Sequence, residues 1–87
     1  MRNRIYYTMA FKSTHSAVAA ENYLSKIIEV TVMPTLRSIS ASCGISLRIE
    51  EADIKRLVRI LKDRPDIINS SALYRVEGGD VFPVEYE

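Results

Sequence analysis

The chain has a single cysteine, a net charge of only +1 and no long apolar run. One cysteine cannot close an internal disulfide, and small secreted domains usually carry several bridges, so a cytoplasmic setting is expected. A charge this close to neutral supplies no global field for nucleic acid or an anionic membrane surface, so neither is expected as a partner. No stretch reaches the roughly 18 apolar residues that a spanning helix needs. Met1-Arg2-Asn3-Arg4 is basic, but Ile5 to Phe11 lacks the long apolar region and cleavage site of a signal peptide. Repeats, linkers and low-complexity tracts are missing too. Gly78-Gly79 is followed by no helical pattern, so it reads as a turn and not as a phosphate loop. One cysteine and one histidine without a nearby carboxylate pair make no metal site, and no cofactor is implied.

What is present fits one small globular domain. The 87 residues can build one core but not two, so a single domain over 1–87 is expected. Ile5-Tyr6-Tyr7-Thr8-Met9-Ala10-Phe11 is rich in β-formers and predicts a central strand, because neither of its faces is charged. Ser13 or Thr14 can cap a helix whose apolar positions are Ala17, Ala20, Leu24 and Ile27, ending near Ile27 or Ile28. Glu29 to Met33 is a second strand, stopped by Pro34. A small, polar stretch follows, Thr35 to Ser42, with Arg37 its only charge and Ile39 its anchor. Ile45, Leu47 and Ile49 then alternate with Ser46, Arg48 and Glu50, as a half-buried strand requires.

Glu50, Glu51 and Asp53 supply negative charge to the start of a second helix. Ile54, Leu57, Val58 and Leu61 are its buried stripe, and Pro65 stops it. Ala72 to Val76 is a fourth strand, and Val81 to Tyr86 can return as an extra C-terminal edge strand, because Pro83 confines it to an edge. The order β-α-β-β-α-β predicts an α+β fold of the ferredoxin-like, split βαβ kind. Its sheet would be four-stranded and antiparallel, with two helices on one face. The edge that the C-terminal arm leaves open can pair two copies as a homodimer.

That topology sends the loop after strand two to the same rim as the loop after strand one. Cys43 should therefore sit near Ser13, Thr14 and His15, at the positive end of the first helix. A helix N-terminus and nearby cations lower a thiol pKa, and Lys12, Arg37 and His15 are candidates to add to that field. Gly44 lets a partner approach the sulfur and permits a positive φ. Cysteine is nevertheless among the most buried residue types, and a histidine in a first helical turn is most often merely solvated. A Cys–His hydrolase lacks a cleft and an orienting third residue.

Several segments then point to a known family. They are the tyrosine-rich strand running into Phe11-Lys12-Ser13-Thr14-His15, the helix residues Ala17 and Ala20-Glu21, and the valine-rich strand ending in Met33-Pro34-Thr35. Above all there is Ser42-Cys43-Gly44-Ile45-Ser46-Leu47-Arg48-Ile49. Over residues 4 to 76 the chain resembles the selenium/sulfur (Se/S) carrier protein-like family, with 77–87 as an individual extension. The resemblance implies that Cys43 carries a persulfide or perselenide and passes it to another protein. Its partners would be a cysteine desulfurase-like donor and a thiol acceptor protein. Gly44, Ser13, Thr14, His15 and Arg37 would serve as binding residues. Such a protein is at most a transferase-like carrier, not a stand-alone enzyme. Sulfur-relay carriers place a Cys-Pro pair at a helix start, whereas this chain has Cys-Gly before a strand. The alternative is a non-enzymatic interaction or ligand-sensing module in which Cys43 is incidental.

Overall fold

A computed structural model describes residues 5–39 and 44–86. The chain runs β1 (Ile5–Phe11), α1 (Thr14–Leu24), β2 (Val30–Pro34), β3 (Ile45–Glu50), a 3-10 turn (Glu51–Asp53), α2 (Ile54–Leu61), α3 (Pro65–Asn69), β4 (Ser71–Glu77) and β5 (Asp80–Val84). The strands form one antiparallel sheet in the order β2-β3-β1-β4-β5. β1 is central, as its uncharged faces predict. The sheet has five strands and not the four of the basic plan: the Gly78-Gly79 turn, with Gly78 at φ 62, folds β5 back along β4. Pro83 sits on that outer strand, where a missing N–H costs no ladder bond.

One face of the sheet carries the helices. Met9, Leu47, Ile49 and Leu73 from the strands meet Ala20, Leu24, Leu57, Leu61 and Ile67 from the helices in a single buried cluster. Two helices were expected, and three are present among the described residues. Pro65, read from the sequence only as a stop, also starts α3: its missing N–H and fixed φ suit a first helical position. Arg64, just before it, binds Asp66 with two nitrogens (3.0 and 2.9 Å) and lies 4.4 Å over the Tyr23 ring, joining α1 to α3. That hydrogen bond holds the Asp66 carboxyl below the usual carboxylate range. α1 ends at Leu24, earlier than the apolar spacing suggests. The Leu24 carbonyl accepts the N–H groups of Ile27 and Ile28 (both 2.9 Å), a tightened turn that still buries Ile28.

The opposite face of the sheet is less solvated than the alternation implies. Thr8 and Ser46 belong to it, yet both are 0% exposed. Thr8 Oγ1 donates to Met33 Sδ (3.7 Å), while Arg48 spreads 4.0 Å over the Tyr6 ring and pairs with Glu50. β1 and β3 are therefore buried on both sides at their centres. At the C-terminal end the Tyr86 hydroxyl lies 2.6 Å from Ser71 Oγ, and burial pushes the Tyr86 phenol up to about 12 despite the opposing Ser71 contact.

Leu47, fully buried in the cluster, should cost about 2–5 kcal/mol on truncation to alanine, read as a shifted urea midpoint with unchanged slope. Tyr86 makes an alkaline prediction. Its folded pKa is raised, so its contribution is complete below pH 10 and is lost as pH rises through about 12. Over that window the wild type should lose on the order of 2 kcal/mol relative to Tyr86→Phe. Parallel stability curves for the two proteins between those pH values would refute this.

Candidate functional site

Sheet register decides which loops meet. Pro34 pairs with Ile45, Ala10 with Ser46 and Phe11 with Ser71. The C-terminal ends of β1 and β2 and the N-terminal ends of β3 and β4 thus share one rim. Lys12 N–H donates to Ser70 C=O (3.2 Å), so α1 starts from that rim. Ser13, Thr14 and His15 at the head of α1 and Gly44 ahead of β3 lie there together. Arg37 is exposed in a turn closed by Ile39 N–H to Leu36 C=O (3.0 Å), with Ile39 half-buried as its anchor. Cys43 lies outside the described residues, with Ser40, Ala41 and Ser42.

The head of α1 is partly committed to its own cap. Ser13, extended at φ −145, accepts from Ser16 N–H at Oγ (3.1 Å) and donates to Ser16 Oγ (3.0 Å), while its carbonyl accepts Ala17 N–H (3.1 Å). The N–H groups of Thr14 and His15 have no partner among the described residues. These two donors and the helix dipole remain for an anion, but the Ser13 oxygen is already in use. Thr14, His15 and Lys12 are all exposed.

At Gly44 the structure shows a close approach: a Cβ there would stand 3.2 Å from Thr35 Oγ1, tighter than a normal contact. Thr35 N–H donates to Gly44 C=O (3.0 Å), and Thr35 Oγ1 lies 2.7 Å from Ser46 Oγ, which is fully buried. Space beside Gly44 is thus taken by this chain's own threonine. Thr35 and Ser46 are the rim residues that sequence reasoning missed. Ser46 sits at a polar position of the β3 alternation and was assigned to solvent. A hydroxyl beside Pro34 and another two residues after Gly44 are the signal that pairs them.

The described grooves lie elsewhere. One of 340 Å³ runs between α2 and the β4–β5 side, lined by Tyr7, Ile54, Lys55, Val58, Leu73, Val84 and Glu85. A second, of 510 Å³, is bounded by Lys62, Ile68, Glu85 and Tyr86. Neither includes Ser13, Thr14, His15, Arg37 or Gly44. No helix among the described residues is long and apolar enough to cross a membrane.

The class is therefore a small α+β domain with a five-stranded antiparallel sheet and its helices packed on one face. A family described as "Putative Se/S carrier protein-like" matches residues 6–75. This chain belongs to that family. No curated protein and no solved structure matches it.

Gly44→Ala should destabilise the protein by about 1–3 kcal/mol through overpacking against Thr35. In a Thr35→Ala background the same change should cost clearly less. Equal penalties in both backgrounds, by urea denaturation, would show that Thr35 is not what excludes a side chain at 44.

Proposed function

We propose that this protein carries sulfur or selenium as a persulfide or perselenide on Cys43 and delivers it to a partner protein. The observation that carries the reading is the family match over residues 6–75, which spans the Cys43-Gly44 step. The geometry supports it: Gly44, covalently joined to Cys43, shares a rim with the N–H groups of Thr14 and His15, which have no partner among the described residues. We read the first four strands as a ferredoxin-like plan with β5 appended, and a reducing compartment as the setting that keeps a lone thiol free.

In loading, the Cys43 thiolate attacks the outer sulfur of a donor persulfide such as that of a cysteine desulfurase. The donor S–S bond breaks, a Cys43 S–S bond forms, and the donor leaves as a thiolate. In delivery, the acceptor thiolate attacks the outer sulfur and Cys43 departs as thiolate. The balance closes without an external oxidant. The Thr14 and His15 end of α1 stabilises the anion at each stage, and Arg37 helps steer acidic partners. The Ser13 hydroxyl acts indirectly, by capping the helix whose end faces the anion.

Intact-protein mass spectrometry after incubation with a desulfurase and cysteine tests this. Wild type should gain the mass of one sulfur, removable by a reductant, and Cys43→Ser should gain none. No gain on wild type, or an equal gain on the serine variant, removes the proposal.

A further inference from the structure

We propose that β2 is a self-association edge, pairing antiparallel with β2 of a second copy about a two-fold axis at Val32. This goes beyond the carrier reading and does not depend on Cys43. Among the described residues β2 is paired on one side only, to β3. The bond from Thr35 N–H to Gly44 C=O sets the phase of that ladder. Hydrogen-bonded pairs fall at Thr35–Gly44, Met33–Ser46 and Thr31–Arg48, so the backbone groups of Val30, Val32 and Pro34 point outward. The outward edge is self-complementary. Under the two-fold, Val32 N–H and C=O bond reciprocally to Val32 of the second copy, and Val30 N–H reaches the Pro34 carbonyl of the second copy. Pro34 has no N–H to return to the Val30 carbonyl of the second copy, so each flanking pair keeps one of its two bonds while the central Val32 pair keeps both.

Side chains and charges favour the same occupant. β2 carries no charged residue and no lysine, and its one proline, Pro34, is its last residue. Val32 is 54% exposed and Val18 is 49% exposed. Val32 is in register with Leu47 and Met9, so it stands on the helix side of the sheet. Tyr23 faces α3 through Arg64, and helical spacing sets the exposed Val18 on the other flank of α1. Apposed copies therefore bring Val18 and Val32 of each into one apolar strip. Glu29 precedes β2 and Arg37 follows it, both exposed. Antiparallel pairing sets the acidic end of one strand beside the basic end of the other. The opposite edge strand, β5, differs in carrying a charge, Asp80, at its start. The two rims of such a dimer lie at opposite ends of the joined sheet, so each stays open.

An interface this small makes association concentration-dependent. By sedimentation, the mass of the wild type should rise with concentration from 9.9 kDa toward twice that value. Val32→Lys, at an exposed side chain, and Val32→Pro, which removes an N–H that points outward, should both stay at monomer mass. Phe82→Lys on the other edge should still associate. Hydrogen exchange on wild type supplies a readout free of any folding defect: the Val32 amide should slow by about tenfold or more from dilute to concentrated protein. A wild type that remains monomeric, association that survives both Val32 variants, association lost in Phe82→Lys alone, or a Val32 amide indifferent to concentration would each overturn the proposal.

Discussion

β1 is hydrogen-bonded on both sides for nearly its whole length, to β3 through Tyr6–Ala10 and to β4 through Ile5–Phe11. Its two faces are closed at the centre, with Met9 and Thr8 both at 0% exposure. A slip of one residue would turn Met9 out of the core and put Thr8 in, so the register is strongly determined. That register settles which loops share an edge. The head of α1, the Thr35–Gly44 closure and the start of β4 meet because β1 leaves them no other arrangement.

At the rim this constraint is finished by short polar contacts. Thr35 holds the base of the β2–β3 connection twice, through its N–H to Gly44 and through its hydroxyl to Ser46. Ser13 closes the first turn of α1 on itself. The described backbone on either side of residues 40–43 is therefore fixed at Thr35 and Gly44. A carrier thiol needs such an arrangement, because it must be met by two different proteins in turn and cannot be enclosed by its own chain.

Much of the fold was legible, and the exceptions have causes. Period-two alternation identified β1 and β3 because their core-facing residues, Tyr7, Met9, Leu47 and Ile49, are large and regularly placed. Acidic residues at Glu51 and Asp53 marked the approach to α2 because charge there complements the helix dipole. α3 escaped because it has only five residues and a proline that serves two opposite roles. Ser46 was read as solvated because alternation reports only which face a residue is on. Burial of that face depends on neighbours distant in sequence, here Thr35, Met33 and Arg48 over Tyr6. The expected place of Cys43 lies outside the described residues, and that the head of α1 and the start of β3 share a rim followed from strand order alone. The reason for Gly44 did not, since a clash with Thr35 exists only once β2 and β3 are paired.

The direct measurement is the rate at which Cys43 is alkylated in native and in urea-unfolded protein as pH is varied. The account predicts a native thiol that labels rapidly near neutral pH, at least as fast as the unfolded chain, with a midpoint below the ordinary thiol value of about 8.5. A Cys43 that is inert in the native protein and reacts only after unfolding would contradict it and leave the rim without its chemistry.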